Sequence, residues 1–275
     1  MLTMENKKFR NPFPAVGKVF KYEMMSSARV ILPIYGILLL MSLIVGVFVI
    51  GENMNFDTDT SSFGTLKVIF CVLTGIMFFA TFVIVLCIIE RRYKKSLLSD
   101  EAYLNLTLPV SVGQHLWGRY LVDFVWCISY GFICFLALML IVIRGWGEMS
   151  NVFVEILKGM DKFQLEYGYS VVTACALGVI NIVSVFMLIC TFIYMSESVV
   201  QMIGKHKTLI SIGLFIVVFI VYFKASQFIG STHSYDDFAL ELRKFLWLNL
   251  AYNFVWCAVN SVITRLVLTF KLNLA

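Results

Sequence analysis

Glu90-Arg91-Arg92-Tyr93-Lys94-Lys95-Ser96-Leu97-Leu98-Ser99-Asp100-Glu101-Ala102-Tyr103-Leu104-Asn105-Leu106-Thr107-Leu108-Pro109-Val110-Ser111 opens a polar island, residues 90–119, between two long apolar runs at 68–89 and 120–143. Each run meets the ~20 residues a helix needs to cross the hydrocarbon core of a bilayer. Working outward from the island, four further runs read the same way, at 30–50, 167–196, 208–223 and 245–264. The run at 167–196 has 30 residues, more than a crossing needs, and is expected to tilt or project. The run at 208–223 has only 16 residues, which predicts a short or tilted span packed by its neighbours. The fold class is therefore all-α integral membrane, one domain over 1–275 with six transmembrane helices.

Composition agrees. The chain is 60% apolar and 14% charged, where soluble domains carry about a quarter charged residues. Its 25 Phe suit lipid-facing and interfacial surfaces. The net charge of +5 reads as a topology signal rather than a nucleic-acid footprint, because the basic residues cluster on alternate loops. The seven Cys lie inside apolar runs without a Cys-x-x-Cys pair, so they read as small hydrophobes. The N-terminus lacks the pattern of a secretory leader, since about 28 amphipathic residues precede the first long run.

Lys and Arg set the orientation. Fifteen fall on the side of the N-terminus and the polar island, seven on the other, so both termini and the island are assigned to the cytoplasm. Ahead of the first span, Val16, Val19, Phe20 and Met24 share a face away from Lys18, Lys21 and Arg29. That pattern predicts an N-terminal amphipathic helix lying on the inner leaflet, with a basic tail that only sets topology as the alternative. On the outer side, residues 145–166 carry apolar side chains at helical spacing and predict an amphipathic surface helix. A short helix within 227–244 is a similar expectation.

No enzyme chemistry is evident. His115, His206 and His233 lack ligand-spaced partners, and no Gly-x-x-x-x-Gly-Lys-Ser/Thr is present. No catalytic, cofactor-binding or metal-binding residues are therefore assigned. Asp123 lies near the cytoplasmic start of the third span, where an i, i+4 pair with Arg119 or a relay role would account for it. Asn181, Asn249 and Asn253 lie within spans, and Asn249, Asn253, Trp256 and Asn260 share a helix face. Such a stripe suits interhelical hydrogen bonding or a polar translocation path. Charges spaced regularly through the bilayer are missing, which argues against an ion-coupled pump or a voltage sensor.

The island reads as a bracket. Nothing breaks the second helix before Ser99, so it projects into the cytosol through Lys95. Ser99 is an N-cap candidate, and Asp100 and Glu101 suit the positive end of a short helix reaching about Thr107. Pro109 ends that helix, and Ser111-Val112-Gly113-Gln114 has capping-box spacing that starts the third span near Val112.

The run from Arg92 to Leu104, followed by Thr107-Leu108-Pro109-Val110-Ser111, resembles the cytoplasmic loop of bacterial ABC transporter permeases of the six-helix exporter class, often called ABC-2 or type V, with Firmicute members nearest. About 20 residues carry the likeness specifically; many relatives have Gly where Ala102 stands. The resemblance implies a coupling helix between spans 2 and 3, with Ser99, Asp100, Glu101, Tyr103 and Leu104 contacting a separate ATPase subunit that binds ATP. It also implies a second permease copy or a related permease, a plasma-membrane location, and export of a peptide or lipophilic substrate. A non-transporting scaffold or sensor partner, binding some cytosolic protein through 90–119, is the alternative.

Overall fold

The computed structural model describes residues 13–49, 62–98, 111–142, 146–167, 170–201, 207–230 and 238–270. Among them the chain forms seven helices: α1 (Phe13–Ile44), α2 (Ser62–Tyr93), α3 (Val112–Val142), α4 (Trp146–Tyr167), α5 (Val171–Val200), α6 (Lys207–Gly230) and α7 (Phe238–Phe270). Two π-helical turns extend α1 and α2, at Val45–Val49 and Lys94–Leu98. No strand occurs among the described residues.

Six of the seven helices are long and apolar enough to cross a bilayer; α4, with its charged residues, is not one of them. Phe79 is 70% and Leu209 77% exposed, and such side chains line every spanning helix. In water that surface would aggregate, whereas lipid covers it without cost. The chain is a multi-pass membrane protein.

The helices overrun the apolar runs because their polar ends continue the backbone hydrogen-bond ladder. The run at 208–223 lies within a helix of 24 residues, long enough to span. The run at 167–196 is displaced: Tyr167 closes α4, and α5 begins after Ser170, whose extended backbone (φ −69°, ψ 120°) stands at the N-cap. Residues 227–244 hold no separate short helix among the described residues; α6 runs through Gly230 and α7 starts at Phe238. The expected interfacial helix and the first span are one continuous helix, Phe13–Ile44, with Pro33 inside it. Its N-terminal turns are docked on α3, so Glu23 and Ser27 point into protein.

Packing falls into two groups that meet along α5. The first comprises α1, α2 and α3, with α1 most closely apposed to α3; the second comprises α5, α6 and α7, with α7 most closely apposed to α5. Ile31, Tyr35, Val85, Tyr93, Trp126 and Tyr194 belong to a core that joins the groups. Leu188, Phe192 and Tyr222 form a smaller core in the second group, edged by Trp256.

Candidate functional site

The two roots of the polar loop are well built. Ser111 and Gln114 close the capping box, Gln114 N–H donating to Ser111 Oγ at 3.3 Å and Ser111 N–H to Gln114 Oε1 at 2.9 Å. These bonds satisfy backbone donors that a helix start leaves open. The other root is the π turn after Tyr93, whose Leu97 is fully buried. The five residues expected to touch an ATPase, Ser99, Asp100, Glu101, Tyr103 and Leu104, lie outside the described residues, as does the short helix expected to carry them.

Behind the roots sits a cluster of charges and aromatic rings. Glu23 of α1 receives Arg119 Nη2 of α3 at 2.5 Å and Arg92 Nη2 of α2 at 3.1 Å. Arg92 Nη1 also donates to the Glu23 carbonyl at 3.0 Å, and Ser96 Oγ to the carboxylate at 3.3 Å. One carboxylate thus holds three elements together. Arg119 is only 4% exposed, so this is a buried pair, for which loss of one partner is costly. Its guanidinium also lies 5.7 Å from the centre of the Tyr93 ring.

The expected Arg119–Asp123 pair does not form. Arg119 turns to Glu23, and Asp123 instead accepts the Tyr194 hydroxyl of α5 at 2.6 Å. The i, i+4 spacing permitted the pair, but a carboxylate on another helix reaches the guanidinium in better geometry. Tyr194 is stacked between Tyr93 (4.1 Å between centroids) and Tyr120 (5.6 Å), and Tyr93 bonds Ser198 of α5 through its hydroxyl. Trp126 Nε1 donates to Ser27 Oγ at 3.0 Å. Among these groups is a cavity of about 20 Å³ bordered by Glu23, Arg92, Arg119 and Asp123, room for about one water.

Lys94 makes the complementary link. Its ammonium meets Glu90 at 2.6 Å and the buried Glu197 of α5 at 3.1 Å, and Glu197 accepts Ser211 of α6. Arg92 therefore pulls the end of α2 toward α1, and Lys94 pulls it toward α5 and α6. From the sequence, Arg92 and Lys94 read as topology markers and as part of the exporter-like loop, without ion-pair partners, and neither Glu23 nor Glu197 stood out.

The amides lie elsewhere, in the seam between α5 and α7. Asn181 Nδ2 donates to the Leu246 carbonyl at 3.2 Å. Asn253 is fully buried, donates to Ser184 Oγ at 2.8 Å and accepts the Tyr222 hydroxyl at 2.6 Å. Asn260 reaches Thr191 Oγ1 at 3.4 Å. Asn249 is half-buried and makes no side-chain hydrogen bond among the described residues. Interhelical bonding is thus the role these contacts describe for Asn181 and Asn253. Asn253→Ala is expected to lower resistance to unfolding in detergent by about 1–2 kcal/mol, since interhelical hydrogen bonds in membranes average about 0.6 kcal/mol each and reach about 1.7. Asn249→Ala serves as the near-neutral control, and equal losses in the two variants would refute the assignment.

Among the described residues no three His, Cys, Asp or Glu side chains gather as a metal would require. What the cluster offers is mechanical: charge pairs and stacked rings that tie both loop roots to α1, α5 and α6. Compared with family models, curated proteins and solved structures, the chain matches none.

Proposed function

We propose that this chain is the membrane-spanning subunit of an ATP-driven ABC exporter in the bacterial plasma membrane. Two such subunits, identical or related, work with two separate ATPase subunits, and the substrate, a peptide or a lipophilic molecule, passes between the two permeases. The observation that carries this reading is the bracing of the loop roots by Arg92 and Arg119 on Glu23 and by Lys94 on Glu197. A push on a loose loop is absorbed by the loop. A push on this one reaches three helices at its base, because two discrete charge links must move with it. The likeness of residues 92–111 to exporter loops supports the same reading. In this reading ATP hydrolysis belongs to the partner, and the sequence here carries no Gly-x-x-x-x-Gly-Lys-Ser/Thr motif.

The deciding experiment is purification of the full chain from its native membrane in mild detergent. Recovery of a P-loop ATPase supports the exporter reading; its consistent absence rejects it and favours a scaffold or sensor. In such a complex, Asp100→Asn with Glu101→Gln is expected to cut ATPase recovery at least tenfold, as loss of paired interface charges costs about 2–5 kcal/mol. Helix content should not change. Undiminished recovery would reject the contact role of Asp100 and Glu101.

A further inference from the structure

The end of the bundle remote from the polar loop carries a second feature. On the first turns of α7, Arg243, Lys244, Trp247, Leu248 and Ala251 line one open face of the helix. Arg243, Trp247 and Ala251 follow one another at i, i+4 and i+8, with Lys244 and Leu248 as a parallel column beside them. The side that carries Leu246, Leu250 and Asn253 is occupied: the Leu246 carbonyl takes the Asn181 amide, and Leu250 and Asn253 are buried. Lys244, Trp247, Leu248 and Ala251 lie on the side turned away from α5, with Arg243 exposed at its edge, and Trp247 is 53% exposed.

Two observations give this face an occupant. Among the described residues neither Arg243 nor Lys244 forms an ion pair, although Glu241 lies on the same turn. Among the described residues, two adjacent cations thus stand without a paired carboxylate near the end of a membrane-spanning helix. The side chains are also graded by depth. At 1.5 Å per residue, Trp247 lies ~6 Å and Ala251 ~12 Å below Arg243 along the helix. Charge, then an amphipathic ring, then aliphatic surface, then a small residue that admits a close neighbour is the order of an amphiphile's own chemistry.

We propose that this face binds the phosphate headgroup of an anionic phospholipid. Arg243 and Lys244 hold the phosphate, Trp247 packs against the glycerol region, and an acyl chain lies along Leu248 and Ala251. The site is independent of the loop and of the exporter reading.

The test uses the full-length protein reconstituted in phosphatidylcholine vesicles containing a minor fraction of phosphatidylglycerol. Bromine-labelled phosphatidylglycerol is expected to quench the fluorescence assigned to Trp247 (the part lost in Trp247→Phe) more strongly than bromine-labelled phosphatidylcholine. Arg243→Gln with Lys244→Gln is expected to lower that preference roughly tenfold or more, on the scale of about fivefold per basic side chain near an anionic surface. Both side chains are exposed, so folding is not at stake; equal substitution of the exposed Lys18 and Lys21 should leave the preference unchanged. The proposal fails if wild type shows no preference or if the double variant retains it. It fails equally if soluble glycerol phosphate abolishes the preference, which would mark a site for free anions, or if crosslinking from Trp247→Cys captures a second copy of the chain there.

Discussion

Glu23→Ala is expected to destabilise the protein by about 3–5 kcal/mol, the penalty for leaving one member of a buried ion pair without its partner. Arg119 is the residue left behind. It is 4% exposed, its closest anion is Glu23 at 2.5 Å, and Asp123, one turn along α3, is engaged with Tyr194. Arg92 loses its carboxylate at the same time but is less buried and can reach water. Unfolding of the purified protein by a denaturing detergent, followed by circular dichroism, measures the loss. Two companions separate a charge effect from a packing effect. Glu23→Gln keeps an acceptor and the shape, and should lose less. Arg119→Met added to Glu23→Ala removes the stranded cation and should recover a large part of the deficit, since replacing both partners by apolar groups is often neutral. A loss of ~1 kcal/mol or less for Glu23→Ala would mean that the pair behaves as an exposed one.

The second large effect is expected at Gly46, in the π turn that extends α1. A Cβ built there would overlap the Leu140 carbonyl oxygen of α3 and lie 3.0 Å from that of Ile141. Both are backbone atoms, so no rotamer change relieves the contact. Gly46→Val must separate α1 from α3 at the end opposite the Glu23 clamp, with an expected loss at or above about 1–3 kcal/mol, the usual range for overpacking. Gly36, on α1 as well, has nothing within 4 Å of its Cβ position. Gly36→Ala should therefore be neutral or raise stability by up to about 1 kcal/mol through helix propensity. Similar stability of the Gly46 and Gly36 variants would refute the close approach.

Much of the architecture was legible from hydropathy, because lipid demands long uninterrupted apolar helices and the chain supplies six of them. The start of α3 was legible too, since Ser111 and Gln114 can satisfy one another at only one spacing. Helix continuity was harder to read. Polar residues at 13–29 look like a separate interfacial segment, yet nothing in them breaks a helix, and tertiary contacts to α3 keep the turns in line with the span. Charge pairing was hardest. Glu23 lies 69 residues from Arg92 and 96 from Arg119, so no local pattern announces the pairs. One signal was present. Glu23 stands on the stripe Ser27, Ile31, Tyr35, Leu38, Ser42 and Val45, spaced by three and four, and all six of those residues are buried. An acidic side chain on the inward stripe of a helix calls for a cation from elsewhere in the fold. Asn253 was readable as far as its helix face, but its partners Ser184 and Tyr222 come from two other helices.

The clamp also imposes an order on synthesis. Glu23 leaves the ribosome 96 residues before Arg119. At ~5–20 residues per second, the first helix waits roughly 5–20 s before its principal cation has even been polymerised. Throughout that interval the Glu23 carboxylate must stay hydrated at the membrane surface, so α1 cannot take its final seat when it is made. Its docking is a late event, completed only once the third helix has arrived, so a helix made earlier settles after one made later.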